Sequence, residues 1–480
     1  MKNIFVKVIL LFVIAASFNA CYDELDQQPN NTFSPDTFYQ NLTDFENAMR
    51  GVYSGFYGGG YYGGSFLTRP DIMSDNVILA QLGRRSNQFF NEWRYEPNSA
   101  WDMMYSPYVV TNRANLIINQ IDNLSDGQDK NNFLGEARAA RALALFDMLR
   151  VYCEAPTQAD PSTSLGMPII TTSDDPAIQV PRPTLADSYD YVIEELEAAK
   201  GLINADNGVG RLNKDAVNAL LSRVYLYNGD YPEAIAAANA VSTPIASIAN
   251  FPGVWTDSNE DGVVFKLDQD RVLDGIGIGI DWSQSVGGTV RPEYVIAFDF
   301  FNMYQNNDVR KNAYTFIGAD SGGNIYNAIK KMLGEAGQNN GVVDAKVIRA
   351  AEVYLNKAEA YMMLPSPNEA AALEALDMVR ANRYSGFTSG NETGAALMDA
   401  IKLERRLELF AEGHRFFDVK RWGEAIERNT EFGEFFDGSG TPVPSEFATL
   451  PATSHRFNLP IPQREINIYP SFQQNPGYGN

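Results

Sequence analysis

The densest set of residues able to do chemistry lies between Ile401 and Glu424, in IKLERRLELFAEGHRFFDVKRWGE, where Glu408, Glu412 and His414 fall close together. Two carboxylates and an imidazole can hold a metal or work as acid and base. The spacing is not His-Glu-x-x-His, however, and the block has a single histidine. Arg405, Arg406, Arg415 and Arg421 would neutralise the acids, so a structural ion-pair network is the expectation. Opposite charges three or four positions apart, as in Arg405 to Glu408 or Glu412 to Arg415, suit pairing along a helix. Leu403, Leu407 and Phe410 recur at helical spacing and predict one buried face, and Gly413 interrupts the pattern as a helix C-terminal residue would.

Other constellations are weaker. Asp257, Asn259, Asp261 and Asp268 surround Gly262 with oxygen ligands on alternate residues, similar to a calcium loop. Its last ligand is Asp where the pattern wants Glu, and the apolar run Val263 to Leu267 predicts a strand instead of an EF-hand helix. A solvated Asx-rich turn is therefore the expectation, with calcium the lesser alternative and no other cofactor. Gly275, Gly277 and Gly279 lack the dinucleotide-binding spacing, and no G-x-S-x-G elbow occurs. With only His414 and His455 in the chain, a triad or zinc site has little material, and His455 is expected at the surface. Glycoside hydrolysis needs only two carboxylates and stays open as an alternative, though nothing marks out a pair.

Bulk properties narrow the field. The chain has 480 residues, 45% of them apolar, enough for a large core. Its 38 basic against 60 acidic residues give a net charge of −22, which argues against a nucleic-acid binder. Aromatic residues make up 12%, more than a plain helical scaffold needs, so some rings are expected to be free for contact. At the N-terminus, Lys2 and Lys7 precede an apolar run from Val8 to Ala16, and Ala20 directly precedes Cys21. Residues 1–20 thus look like a signal peptide ending in a lipobox, with Cys21 the lipidation site and 21–35 a polar tether. Cys153, inside an apolar helix pattern, is expected to be a small core residue.

The elements that must position any site are mostly helical. Thr43 with Glu46 predicts a capping box for a helix through Met49 and Val52. Tyr57 to Gly64, YGGGYYGG, predicts a loop presenting rings, and a second loop carries Trp93 and Tyr95. A long helix is expected over Asn132–Tyr152, a helix capped by Thr184 and ended by Gly201, and another capped by Asn213. Asn218 to Val241 resembles a tetratricopeptide helix pair, and Arg349 to Met378 repeats the theme more loosely. From about Ala249 to Val343 the helical rhythm gives way to Gly, Asn, Asp and scattered rings, among them Trp255, Trp282, Tyr294 and Tyr304. The expected fold is mainly α with minor β: a tetratricopeptide-like helical-repeat scaffold over 36–248 and 344–480, with a large loop-rich insertion at 249–343.

Four segments in order, GEARAARALALFDMLRVYCEAP, RAAEVYLNKAEAYM, LERRLELFAEGHRFFDVKRWG and LPIPQREINIYPSFQQNPGY, resemble the SusD/RagB family of surface lipoproteins. The resemblance implies a single SusD-like domain over 36–480 that is lipid-anchored in the outer membrane and faces the cell exterior. It further implies a non-catalytic protein that binds an oligosaccharide nutrient beside a SusC-like TonB-dependent transporter. The helical part would face that transporter, and the insertion would set ligand preference. Sugars present apolar C–H faces flanked by hydroxyls, so Trp93, Tyr95, Tyr61, Tyr62 and Trp282 are expected as stacking rings, with Asp75, Arg84, Asp281 and Arg291 as polar edges. Asp75 and Arg84 are chosen because the stretch around MSDNV resembles one that gives polar ligand contacts in the starch-binding member. The rival expectations are a glycoside hydrolase and a tetratricopeptide-like protein-interaction adaptor.

Overall fold

The computed structural model describes residues 35–173, 179–269, 277–286, 289–334 and 341–479. The signal peptide, Cys21, the tether up to residue 34 and Gly275 lie outside the described residues.

Helices dominate, as expected from the mainly α pattern. Numbering those of eight residues or more, they are α1 Leu42–Ser54, α2 Ser65–Ile72, α3 Tyr105–Gln120, α4 Gln128–Tyr152, α5 Leu185–Leu202, α6 Lys214–Asn228, α7 Tyr231–Asn239, α8 Ala350–Met362, α9 Glu369–Ala381, α10 Gly394–Glu408 and α11 Arg415–Trp422. The cap of α1 is Asn41, not Thr43. Asn41 has the extended backbone an N-cap requires, accepts from the amides of Thr43 and Asp44, and receives the Asp44 carboxylate on its own amide at 3.2 Å. Thr184 and Asn213 cap α5 and α6 as expected, but α5 runs past Gly201 to Leu202. Gly229 takes a left-handed φ of 91°, which ends α6 and lets α7 begin two residues later. Helix α4 is buried on nearly every side and packs against α3 and α5, while α7 packs against α6 and α8.

The strands form short antiparallel pairs. β1 Val77–Leu79 pairs with β5 Tyr294–Ile296, β2 Val263–Leu267 with β8 Ala345–Arg349, β3 Ser283–Val286 with β4 Thr289–Pro292, and β6 Thr315–Ala319 with β7 Ile325–Ile329. The β1–β5 and β2–β8 ladders tie the middle of the chain to the helices before and after it. Trp255, Trp282, Tyr294 and Tyr304, expected as scattered rings of an open region, are all buried in the main core.

The charged block around α10 and α11 is an ion-pair network in the interior: Glu408 and Glu412 draw their partners from other segments, while Asp418 also pairs with Arg421 one turn along α11 at 3.0 Å. Glu408 is fully buried and meets Arg349 at 2.7 Å, Arg383 at 2.8 Å and Arg310 at 3.2 Å. Glu412 takes Arg349 and Lys331, each at 2.6 Å. Arg405 reaches Asp418 at 2.8 Å, not Glu408. The inward face of α10 is lined by Ile401, Glu404, Arg405, Leu407 and Glu408, which leaves Leu403 on the outer face, 43% exposed. His414 is buried beside Arg223 and Arg405, and burial with those cations keeps its imidazole neutral by pushing its pKa well below the usual histidine value. Gly413 has a φ of 80°, and a Cβ there would lie 2.5 Å from the Phe66 carbonyl oxygen, so glycine is required between the two helices.

Burial alone would raise the pKa of Glu408, but Arg383, Arg349 and Arg310 hold it well below the ordinary glutamate value of 4.5. Its stabilising contribution is therefore present above about pH 4.5 and is lost as pH falls through the lower folded value. Glu408→Ala should lower unfolding free energy by about 3–5 kcal/mol at pH 7, measured by denaturant titration, with a smaller loss in strong acid.

Candidate functional site

The expected stacking rings point inward. Tyr61 and Tyr62 both donate their hydroxyls to Asp147 Oδ2 of α4, at 2.6 and 2.9 Å, which turns the glycine-rich loop into a lid of the core. Trp93 is 6% exposed, donates Nε1 to the Met73 carbonyl at 2.8 Å, and lies under the Arg428 guanidinium at 3.9 Å. Tyr95 is fully buried and gives its hydroxyl to the Arg456 carbonyl, and Trp282 packs against Tyr294 and Phe410. A ring surrounded in this way has no face for a sugar, so all five are corrected to core or hydrogen-bonded structural roles.

The polar edges divide. Asp75 is nearly buried between Arg415 at 2.8 Å and Arg406 at 3.2 Å. Burial opposes its charge, but the two guanidiniums hold its carboxyl well below the usual aspartate range, which makes it a structural anion. Arg84 and Asp281 do come together, where the loop after β1 meets the residues before β3. Arg84 bonds Glu293 at 2.8 Å and the Ile280 carbonyl at 3.1 Å. Thr68 donates to Asp281 at 3.1 Å, burial raises the Asp281 pKa against that bond and the nearby Arg69 and Arg84, and Arg291 is exposed on β4 opposite Gln284.

The calcium candidate also disperses. Asp257 pairs with Lys346, Asp261 accepts from Asn250, and Asp268 meets Lys266 at 2.9 Å. Among the described residues no group of three His, Cys, Asp or Glu side chains converges as a metal site would require. The Val263–Leu267 strand forms as expected.

A groove of about 470 Å³ opens instead where the segment following Tyr95 meets the short helix Gln463–Ile468. Asn98, Asp102, Gln463, Arg464, Asn467 and Ile468 line it. Asp102 and Arg464 form a bidentate pair, Nη1 to Oδ2 at 3.1 Å and Nη2 to Oδ1 at 3.2 Å, with both side chains about half exposed. Arg464 also bonds Glu465 at 2.8 Å, a contact that raises its pKa despite partial burial, with Asp102 and the phenol of Tyr105 adding to the effect. Tyr105, the first residue of α3, is 68% exposed beside that pair, as is Ile468. Trp101 fixes this edge: its ring is buried, its Nε1 donates to the Gly60 carbonyl at 2.8 Å, and its carbonyl accepts from Tyr152 at 2.5 Å. An exposed ring near a bidentate carboxylate–guanidinium pair offers a surface for C–H groups and partners for hydroxyls.

The sequence expectation stopped a few residues short of this groove. Asp102 and Tyr105 sit in WDMMYS, whose apolar pattern reads as a core helix, and only the placement of Tyr105 at a helix start turns its ring outward.

Comparison with known proteins places the whole chain. A family model described as "SusD family" matches residues 304–478, and one described as "Starch-binding associating with outer membrane" matches residues 24–226. The chain belongs to the SusD/RagB family. A SusD-like protein of Formosa agariphila is 22% identical over 98% of this chain and 97% of its own length, and a SusD-like protein of Bacteroides ovatus is 23% identical over 87% and 82%. Among solved structures, a SusD superfamily protein of Bacteroides thetaiotaomicron superposes with a TM-score of 0.79 at 27% identity, covering 91% of this chain and all of that one. A putative sugar binding protein of Bacteroides vulgatus gives a TM-score of 0.80 at 26% identity, covering 91% and 99%.

Because Trp93 and Trp282 are core rings, Trp93→Ala and Trp282→Ala should each lower stability by about 3–5 kcal/mol in a denaturant melt. Normal stability with selective loss of ligand binding would return these rings to a binding face.

Proposed function

We propose that this SusD/RagB protein captures a glycan at the outer membrane and passes it to a SusC-like TonB-dependent transporter, without chemistry of its own. The observation that carries the proposal is the groove lined by the Asp102–Arg464 pair and the amides of Asn98, Gln463 and Asn467, with the exposed ring of Tyr105 near enough to Arg464 to act on its charge. Pyranose rings need this combination, because their apolar faces stack on aromatics while their hydroxyls take planar polar partners. The printed descriptions of the matched family and of the Bacteroides vulgatus relative support a sugar as the cargo. Both carboxylates nearest the groove, Asp102 and Glu465, are tied to the one guanidinium of Arg464, an arrangement suited to holding hydroxyls.

Attachment in this proposal is through acyl chains on Cys21, with residues 21–35 as the tether and the helical scaffold toward the transporter. Several chains on one cysteine hold a protein on a bilayer durably, whereas one chain alone is marginal. Cys21→Ala should move the protein from the membrane to the soluble fraction of cells, read by fractionation and immunoblot. Unchanged membrane retention would refute the anchor.

Calorimetry against a panel of neutral oligosaccharides should find at least one that binds without release of reducing sugar. Tyr105→Ala should weaken that binding about tenfold, the expected worth of one stacking ring. Undiminished affinity in the variant, or turnover of the glycan, would overturn the proposal.

A further inference from the structure

One guanidinium of the fold stands almost without partners. Arg69, on α2, is part-buried, and its Nε donates to Asn87 Oδ1 at 3.1 Å. That is its one hydrogen bond among the described residues, and no carboxylate among them forms an ion pair with it. Its terminal nitrogens, Nη1 and Nη2, have no partner there, and neither is sealed from solvent. Arg428 makes the contrast. It too lacks an ion pair, yet it gives its nitrogens to the carbonyls of Ser74, Asn91, Phe447 and Ile72. Burial lowers the Arg69 pKa to about 10, with Asp281 the largest opposing influence and Tyr152, Tyr294 and Asp102 after it.

The fork is held rigidly. Its guanidinium lies 4.0 Å over the buried ring of Phe90 and 5.3 Å from the centre of the Trp101 ring. Asn87 meets it from a left-handed φ of 60°, and Arg85 and Trp93 of the same loop have φ of 58° and 51°. Such backbone is uncommon outside glycine and persists where its surroundings over-determine it, as they do around ligand clamps.

Asp281 is the acid nearest in effect to this fork. Helix α2 packs against the turn Ile278–Asp281, and the buried Thr68, next to Arg69, donates to Asp281 Oδ2 at 3.1 Å. Asp281 Oδ1 has no partner among the described residues and is likewise open to solvent. The two side chains act on one another's charge without forming an ion pair. Nearby, Arg84 and Glu293 pair at 2.8 Å, so two cations stand against two anions and the local charge balances. A charged ligand group would be drawn by one of the open side chains and repelled by the other. Adjacent hydroxyls suit both, because one can accept from a guanidinium while the next donates to a carboxylate.

We propose that Arg69 and Asp281 are a diol-reading pair: a neutral sugar unit lies between them, one hydroxyl oxygen accepting from the Arg69 fork and its neighbour donating to Asp281 Oδ1. The proposal rests on the glycan reading and deepens it, since the cargo must then carry two adjacent free hydroxyls.

The test is a double-mutant cycle by calorimetry with neutral gluco-, manno-, galacto- and xylo-hexasaccharides. It uses the wild-type chain, Arg69→Gln, Asp281→Asn, the double variant and Tyr105→Ala, with circular dichroism to confirm folding. Arg69→Lys, which keeps the charge but not the fork, replaces Arg69→Gln if that variant does not fold. Each single substitution of the pair should weaken the best hexasaccharide about tenfold, as loss of one charge-assisted hydrogen bond would. The double variant should be weakened about as much as either single one, because both contacts serve one diol. Losses that multiply to about a hundredfold would overturn the shared diol. If both single variants bind as wild type while Tyr105→Ala does not, the pair is refuted and the groove stands. If the pair variants lose affinity and Tyr105→Ala keeps it, the pair stands and the groove fails. Should no hexasaccharide bind the wild-type chain, both readings fall.

Discussion

A charge taken out of water must find an opposite charge, and this chain takes many out of water at once. Glu136, Glu195, Glu352, Glu359, Glu408 and Asp418 are all buried, and each meets a guanidinium from another segment. Arg141 of α4 meets Glu195 of α5, Arg223 of α6 meets Glu352 of α8, and Arg421 of α11 meets Glu359 of α8. Apolar packing alone would let such helices slide by a turn at modest cost. Stranding a buried carboxylate would not be tolerated, so the pairs fix how the helices sit against one another.

The same economy governs the aromatic residues. In this interior the rings serve the polar network as well as the apolar core. Tyr61 and Tyr62 satisfy Asp147, Tyr53 donates to Glu136 at 2.8 Å, and Arg428 and Arg383 lie flat on Trp93 and Phe251 at 3.9 Å. A high count of tyrosine and tryptophan in loops thus reflects loops folded down onto a charged core. Few large rings remain outside, and Tyr105 is the most exposed of the large hydrophobic residues together with Ile468.

What could be read from the residues was local or periodic. Thr184 and Asn213 were recognisable as caps because capping is decided within four residues, and Cys153 and the Val263–Leu267 strand followed from their apolar neighbours. The ionic character of the Ile401–Glu424 block was visible in its alternation of signs. Its partners were not, since Glu408 is bonded by Arg310, Arg349 and Arg383, which lie 98, 59 and 25 positions earlier in the chain. The direction of a ring in a loop is equally non-local: whether Trp93 faces solvent depends on Arg428, more than three hundred positions later. Trp255 and Trp282 show the same limit, since glycine-rich surroundings said nothing of the residues packed on them, Tyr314, Lys331 and Arg349 for the one and Tyr294 and Phe410 for the other.

Trp101 and Asp102 are adjacent, and they belong to different worlds. One is sealed into the core by Gly60 and Tyr152; the next stands half exposed at the edge of the groove. An edge hung from so fixed a peg is already ordered, so the capture proposed for this groove would surrender little conformational freedom.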